Sequence, residues 1–317
     1  MILLVTNRRD ITMDYVVAEL RRREIPFYRL NTELLPQSIS TMSGRDRKKW
    51  SICIDDHEIR GDKVTAAYFR RPGAPNALDS VKDQAEKKYV ESEWGSFLKS
   101  LYMRLEGIWF SSPTQIFLAE DKPRQLILAH ELGFDIPEGY VTNNWSLVKK
   151  LTNQHRTIGK PLREAVLSGD NERVMFTHRI DALSESDAKA VALAPFIVQK
   201  EILKRYDVRV TVVGTNVFAT AIWSQTNAET EVDWHQGTRT DLKHERIELE
   251  ELTSCRCIAL VRALGLKFGA IDFVCDQEGK LWFLEVNPNG QWAWIENLTG
   301  YPISKAIVDE LEEISFG

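Results

Sequence analysis

Short apolar runs and helical patterns alternate over the first third of the chain. Met13–Arg23 has Val16, Val17 and Leu20 on one helical face, and Asp79–Glu106 has the spacing of a long helix. The runs that predict strands are Ile2–Thr6, Pro26–Leu30, Trp50–Asp55 and Val64–Phe69. Parallel strands need helical crossovers, so we predict a parallel α/β lobe over residues 1–112. The polar region Pro36–Lys49 predicts a loop.

The remaining pattern predicts two further lobes with more strands than helices. Residues 113–194 form the predicted central lobe, with a helix capped by Asp121 and short strands at Tyr140–Thr142 and Thr157–Pro161. Residues 195–317 form the predicted C-terminal lobe. Its predicted strands are Phe196–Leu203, Asp207–Val213 and Val217–Trp223, followed by a hairpin. The fold class is therefore α/β with α+β lobes.

The hairpin near the C-terminus is the most informative segment. The apolar runs Ala270–Val274 and Leu281–Val286 flank a four-residue turn, Asp276–Gly279, that ends in glycine. We predict a register in which Cys275 lies opposite Lys280.

Three oxygen-bearing side chains interrupt these apolar strands. In the predicted register Asp272 lies opposite Phe283, and Glu285 and Asn287 point to the same face as Asp272 because side chains alternate with period two. A carboxylate in such a strand is costly to bury unless a cation neutralises it. Oxygen ligands of this kind suit Mg²⁺, which keeps waters and substrate phosphates in its shell. The sequence predicts the metal wall of a nucleotide site.

Composition limits the alternatives. The 317 residues are 43% hydrophobic and 27% charged, with a formal charge of −5, which disfavours broad nucleic-acid binding. No apolar run reaches the roughly 18–20 residues that span a bilayer, and four cysteines without metal spacing are typical of a reduced, cytoplasmic protein.

Several cations outside the hairpin are candidates for binding anions. Lys122 would lie near a helix N-terminus, where the helix dipole also favours phosphate, and Lys160 sits in an apolar run. The alternative is that both are surface lysines. Arg209 lies inside a Val/Thr strand, and a buried guanidinium needs a carboxylate or phosphate partner.

The extended segment Gln199-Lys200-Glu201-Ile202 could offer backbone groups to an adenine edge, and a nearby carboxylate could hold a ribose hydroxyl. The alternative is an edge strand with a solvated Lys-Glu pair. The common phosphate-loop and dinucleotide glycine patterns are missing from the sequence.

Taken in order, these residues resemble the ATP-grasp superfamily, and more closely its graspetide synthetases, the microviridin-type peptide maturases. The segments that carry the resemblance are Tyr68-Phe-Arg-Arg-Pro72, Ala119-Glu-Asp-Lys-Pro-Arg-Gln-Leu126, Leu132-Gly-Phe-Asp-Ile-Pro137 and Glu285-Val-Asn-Pro-Asn-Gly-Gln-Trp-Ala-Trp-Ile-Glu296. One departure is Asp233-Trp-His235, where many relatives have Asp-Trp-Arg.

The resemblance implies a three-lobed ATP-grasp fold with ATP between the central and C-terminal lobes and two Mg²⁺ ions on the hairpin. Residues implied to bind ATP are Lys122, Lys160, Gln199, Lys200, Glu201, Ile202 and Asp207. Metal ligands would be Asp272, Glu285 and Asn287. Arg209 would lie nearest the acceptor carboxylate, with Arg239 as a second catalytic arginine.

The resemblance also implies the reaction. ATP converts Asp or Glu side chains of a precursor peptide, made of a leader and an acidic core, into acyl phosphates. Thr, Ser or Lys side chains then form ester or amide macrocycles, with release of ADP and phosphate. We weigh two alternatives: an ATP-grasp ligase that adds an amino acid to a peptide or small-molecule carboxylate, and a nucleotide-binding regulator without catalysis. A nucleic-acid or membrane partner is not expected, and a homodimer stays open.

Overall fold

The computed structural model describes residues 1–163, 165–167, 173–175, 177–180, 183–226, 232 and 242–317. They divide into two compact units. Unit 1 comprises Met1–Ile116, Gly265–Phe268 and Gln291–Gly317, and unit 2 comprises Phe117–Leu264 and Gly269–Gly290. The last residues of the chain thus belong with the first. The three predicted lobes, with boundaries at 112/113 and 194/195, stay a prediction.

Helices and strands alternate along much of the chain. The helices are α1 (Ile11–Arg22), α2 (Gln84–Arg104), α3 (Pro113–Ala119), α4 (Lys122–Glu131), α5 (Trp145–Gln154), α6 (Ala188–Val191), α7 (Glu251–Ala263), α8 (Ala293–Thr299) and α9 (Ile303–Phe316). The strands are β1 (Ile2–Thr6), β2 (Phe27–Asn31), β3 (Ile39–Met42), β4 (Trp50–Ile54), β5 (His57–Arg60), β6 (Ala66–Phe69), β7 (Gly139–Thr142), β8 (Thr157–Lys160), β9 (Ala165–Leu167), β10 (Arg173–Met175), β11 (His178–Ile180), β12 (Phe196–Lys200), β13 (Lys204–Val213), β14 (Asn216–Ile222), β15 (His244–Ile247), β16 (Phe268–Asp276) and β17 (Leu281–Asn287).

Unit 1 is built on the parallel sheet β2-β1-β6, which confirms the predicted parallel lobe. Ile2 lies opposite Phe27 on one side and Ala66 on the other, and α1 is the crossover from β1 to β2. All five residues of β1 are buried, and since successive side chains point to opposite faces, both faces of the sheet are covered at this strand. The helix α9 packs against α1 and β6.

The predicted loop at Pro36–Lys49 is wrong in part, because Ile39–Met42 forms β3. This strand pairs antiparallel with β4 in the sheet β3-β4-β5. Alternate residues of β4 are buried, as a one-sided strand requires, but β3 has no buried residue, and Ile39 is 80% exposed. Backbone pairing alone defines β3, so the hydrophobic pattern could not predict it.

Two of the sheets in unit 2 carry most of the predicted site residues. The sheet β11-β8-β12-β7 packs α5 against one face through Val148, Leu151 and Val198. The larger sheet has the order β15-β14-β13-β16-β17, with α7 packed against β13 and β14. Only Glu201–Leu203 separate β12 from β13, so the first sheet leads directly into the second.

The helix α2 begins five residues later than predicted because Asp83 caps it. The Asp83 carboxylate accepts hydrogen bonds from the backbone N–H groups of Ala85 and Glu86, at 2.9 Å each. We expect Asp83→Ala to lower the free energy of unfolding by about 1 kcal/mol, as loss of an N-cap does. Denaturant unfolding measures this. Asp83→Asn keeps a capping oxygen and should leave stability nearly unchanged, and equal losses in both variants would contradict the capping role.

Candidate functional site

The metal hairpin, β16 and β17, places Asp272 and Glu285 on one face, but not in the predicted register. Cys275 lies opposite Leu281 and Phe273 opposite Phe283, and a bulge between Asp272 and Phe273 then sets Asp272 directly opposite Glu285. The predicted partner of Asp272, Phe283, was wrong by two residues. A shift of two keeps a side chain on the same face, so the predicted convergence of the carboxylates survives the error.

Asp272 is neutralised by Arg209 from the neighbouring strand β13. The Nη1 of Arg209 donates to the Oδ2 of Asp272 at 2.6 Å, and the two side chains are only 3% and 6% exposed. The sequence predicts that a buried carboxylate and a buried guanidinium each need a partner of opposite charge. In the structure Asp272 and Arg209 are partners of each other. The other oxygen of Asp272, Oδ1, is buried and accepts no hydrogen bond from the described residues.

Glu285 is paired with Lys122, which lies in the first turn of α4. The Nζ of Lys122 is 2.8 Å from the Oε2 of Glu285, and both side chains are partly exposed. A phosphate entering here would meet a lysine already held against a carboxylate. The predicted proximity of Lys122 to the hairpin is present in the structure.

Gln125, one helical turn after Lys122, was not singled out from the sequence. Its Nε2 donates to the carbonyl oxygens of Ala119 at 2.6 Å and Val286 at 2.8 Å, and its Oε1 accepts from the backbone N–H of Val286 at 2.8 Å. The side chain is almost fully buried. Gln125 therefore fixes α4, and with it Lys122, against β17. Gln125 follows Lys122 by three residues and so lies on the same helical face, and this spacing could have identified it from the sequence.

Asn287 lies at the end of β17, opposite Ala270. Its Oδ1 accepts a hydrogen bond from the backbone N–H of Asn289 at 3.0 Å, and its carbonyl oxygen accepts from Gly290 at 3.3 Å. The oxygen predicted to bind metal thus also organises the turn after the hairpin.

Asp207 lies two residues before Arg209 on β13 and is buried with its own cation. The Nζ of Lys204 is 2.8 and 2.7 Å from its two oxygens, and the hydroxyl of Ser224 donates to Oδ2. Burial raises the pKa of Asp207, and the ammonium of Lys204 opposes that shift. Sequence reasoning predicted Asp207 but missed Lys204 and Ser224, since only the fold brings Ser224 to it.

The other predicted nucleotide residues follow the sheet β11-β8-β12-β7. Lys160 lies opposite Ile197, and Gln199 lies opposite Ile158, so Lys160 and Gln199 share a face. Gln199 is buried. Beside them Lys200 is exposed, and its backbone N–H donates to the backbone carbonyl oxygen of Glu138 at 2.8 Å.

Glu201 and Ile202 follow the end of β12. The Glu201 carboxylate receives Nε and Nη2 of Arg179 at 2.9 and 2.7 Å, and Nε of Arg156 lies 3.3 Å away. The alternative, a solvated Lys-Glu pair, is wrong, because the partners of Glu201 come from other segments. Ile202 is half-buried.

The candidate site offers oxygen ligands that fit a hard divalent cation. Asp272 has a buried oxygen without a hydrogen bond, and the adjacent Glu285 supplies a second carboxylate. Over the described ranges there is no group of three or more His, Cys, Asp or Glu in ligating geometry, so a metal would rely on two carboxylates and Asn287. Arg239 and Asp233–His235 lie outside the described residues.

The chain matches two known families over most of its length. Residues 1–116 match the MvdD pre-ATP grasp domain and residues 151–311, just over half of the chain, match the RimK-like ATP-grasp domain. A probable alpha-L-glutamate ligase from Haemophilus influenzae is 26% identical over 222 residues, 67% of this chain and 69% of that protein.

Solved structures resemble nearly the whole chain. A Chryseobacterium gregarium RiPP-associated ATP-grasp ligase, in complex with ADP and a leader and core peptide, has a TM-score of 0.88 and 25% identity over 98% of this chain and 96% of that one. The macrocyclase MdnB from Microcystis aeruginosa MRC has a TM-score of 0.78 and 28% identity over 98% of both chains.

Gly290 leaves the space that Arg209 occupies. A Cβ there would lie 2.5 Å from the Nη2 of Arg209 and 2.5 Å from the Cβ of Ala270. We expect Gly290→Ala to displace the guanidinium from Asp272 and to lower the free energy of unfolding by about 1–3 kcal/mol, as overpacking does.

Denaturant unfolding tests this, with Gly95→Ala as the control. Gly95 lies within α2, with open space around an added Cβ, so alanine should raise stability there. Unchanged stability of Gly290→Ala would show that Arg209 is not confined by this glycine.

Proposed function

Since the chain belongs to the RimK-like ATP-grasp family and is an ATP-dependent ligase, we propose that it forms side-chain macrocycles in a ribosomal precursor peptide. Asp or Glu side chains of the peptide would be activated as acyl phosphates and captured by Thr, Ser or Lys. The main support for this proposal is that the chain resembles, over nearly its whole length, an ATP-grasp ligase in complex with ADP and a leader and core peptide.

The cations of the site suit phosphoryl transfer, which asks mainly for positioning and charge neutralisation. Lys122 and Lys160 would hold phosphate oxygens of ATP, and the segment Gln199–Ile202 would meet the adenine. Arg209, anchored by Asp272 at 2.6 Å, would orient the acceptor carboxylate and the transferred phosphate. Arg239 is proposed as the second catalytic arginine.

Asp272, Glu285 and Asn287 would hold two Mg²⁺ ions, which when bound neutralise phosphate charge. The peptide carboxylate oxygen attacks the γ-phosphorus of ATP and ADP leaves. The hydroxyl or amine then attacks the acyl carbon, and phosphate leaves. The peptide loses the mass of one water per link, because the nucleophile gives up one hydrogen and the carboxylic acid gives up its OH, whose oxygen leaves with the phosphate.

The remaining predictions concern surroundings of the enzyme. No helix in the described part of the chain has the length and apolar character to cross a membrane. A cytoplasmic location, a homodimer and a lack of nucleic-acid partners remain predictions.

The ion pairs of the site predict that Mg²⁺ and ATP bind cooperatively. A phosphate that binds Lys122 competes with Glu285 for its ammonium group, and it brings negative charge next to the Glu285 carboxylate unless a cation lies between them. We expect removal of Mg²⁺ with EDTA to weaken ATP binding about tenfold or more, within the usual range of coupling energies.

Isothermal titration calorimetry measures the coupling. Glu285→Gln removes the negative charge that makes Mg²⁺ necessary for ATP binding. The loss of ATP affinity on adding EDTA should therefore be smaller in this variant. Glu278→Gln, on the exposed turn of the same hairpin, should keep it. Equal affinity for ATP with and without Mg²⁺ in the unmodified protein would contradict this role for Glu285.

The proposed reaction is tested by mass spectrometry. With ATP, Mg²⁺ and a short precursor peptide that has an acidic, Thr- or Lys-containing core, the protein should remove one water mass per link. Asp272→Asn should abolish the mass loss, and Glu278→Gln should retain it. Intact peptide despite measured ATP binding would refute the proposal.

The second candidate is a ligase that joins two separate molecules, favoured by the likeness to the probable alpha-L-glutamate ligase. The same assay with added glutamate separates the two functions. A peptide that gains the mass of a glutamate residue would decide for this candidate.

A further inference from the structure

Arg71 has a backbone conformation that its place in the fold does not explain. Four described residues other than glycine have positive φ: Glu24, Asp55, Asp56 and Arg71. Glu24 directly follows the C-cap of α1, where a left-handed residue is usual. Asp55 and Asp56 form the two-residue loop between β4 and β5. A type I′ turn requires positive φ at both of its central residues. Arg71, at φ 44°, follows the end of β6 and belongs to neither class.

The surrounding chain holds Arg71 in this conformation. Nδ2 of Asn7 donates to the carbonyl oxygen of Arg71 at 2.5 Å, and Oδ1 of Asn7 accepts from the backbone N–H of Arg9 at 2.8 Å. The hydroxyl of Thr32 donates to the carbonyl oxygen of Gly73 at 2.6 Å. The backbone N–H of Arg70 donates to the carbonyl oxygen of Val5 at 2.9 Å, so hydrogen bonds fix the chain before Arg71 as well as at and after it. Strain held in this way is concentrated at functional sites.

The preceding arginine has a different environment. Arg70 is 1% exposed, its Nε lies 3.1 Å from the Oδ2 of Asp10, and the hydroxyl of Thr6 donates to the same oxygen at 3.0 Å. Arg70 is therefore an internal brace between β6 and the β1–α1 connection. Arg71, next to it, presents an exposed side chain at the edge of the sheet.

The sheet topology marks this edge as a ligand position. Strand β1 lies between β2 and β6, all parallel, so the chain turns to one side after β1 and returns on the other. In open parallel sheets ligands bind beyond the carboxyl ends of the strands, at the point where the strand order reverses. Arg71 follows β6 at that point, and Asn7 follows β1.

The charge at this edge is positive. The side chains of Arg8, Arg9 and Arg71 are exposed. The nearby carboxylate of Glu33 accepts a hydrogen bond from the backbone N–H of Arg8 at 2.6 Å, so it helps to fix the loop that follows β1. A guanidinium presented at a fixed angle suits a planar carboxylate, which it can bind with two parallel hydrogen bonds.

We propose that Arg71, flanked by Arg8 and Arg9, binds a carboxylate of the acidic segment of the peptide substrate at the β1/β6 edge of unit 1. This proposal rests on the proposed function, which requires an acidic peptide. It adds a carboxylate-binding residue of unit 1 to the residues of unit 2 named above, and the strain at Arg71 is the conformational cost of aiming its side chain.

The decisive variant is Arg71→Gly, because glycine adopts positive φ without strain. Its thermal midpoint should match or exceed that of the unmodified protein, whereas its Kd for a fluorescein-labelled Glu-rich peptide should rise about tenfold, the size expected for loss of one charge-assisted pair. Its Kd for ATP should not change. Fluorescence anisotropy and calorimetry give the two constants.

Two controls isolate the carboxylate contact. Glu24→Gly relieves a positive φ elsewhere in unit 1 and should leave peptide affinity unchanged. A Gln-rich copy of the peptide should bind the unmodified protein weakly and lose little further affinity to Arg71→Gly, which completes a double-mutant cycle.

Several outcomes would overturn the proposal. They are unchanged affinity of Arg71→Gly for the Glu-rich peptide, an equal loss for the Gln-rich copy, a weakened affinity for ATP, or no binding of the Glu-rich peptide by the unmodified protein. Water loss from the precursor peptide is measured separately. A protein that forms macrocycles while Arg71→Gly binds the acidic peptide normally refutes this inference and leaves the proposed function standing.

Discussion

The buried ion pair between Arg209 and Asp272 is the constraint on which the rest of the site depends. Both charges are almost fully removed from water, so each would be untenable without the other, and breaking such a pair costs about 3–5 kcal/mol. Strands β13 and β16 must therefore stay in register. The hairpin bulge and Gly290 then follow as local adjustments, one turning Glu285 toward Asp272 and the other leaving room for the guanidinium.

The same balance of charge extends beyond this pair. Lys122 is held by Glu285, Lys204 by Asp207, and Arg179 by Glu201. Each of these three cations has a carboxylate partner within the protein, so a phosphate that binds to one of them competes with that carboxylate. The more exposed pair, Lys122 with Glu285, is the easiest to exchange, whereas the side chains of Lys204 and Asp207 are both buried.

Residue type and period-two alternation were enough to predict most of the strands, among them the hairpin, and the shared face of Asp272 and Glu285. They were not enough for the register, because a bulge leaves no mark in the hydrophobic pattern. They also missed β3, which is defined by backbone pairing, and Arg179, which reaches Glu201 only through the pairing of β11 with β8. What sequence could not supply were the contacts between segments far apart along the chain.

The contact between Gln125 and β17 has a consequence for how the larger sheet ends. Val286 gives both its N–H and its C=O to one side chain, and the N–H of Phe283 donates to the carbonyl oxygen of Asp135 at 2.8 Å. An edge strand with such groups unpaired is a template for adding another strand. Here Gln125 and Asp135 already occupy the edge at Val286 and Phe283, so a strand could be added beside the carboxylates only by displacing both.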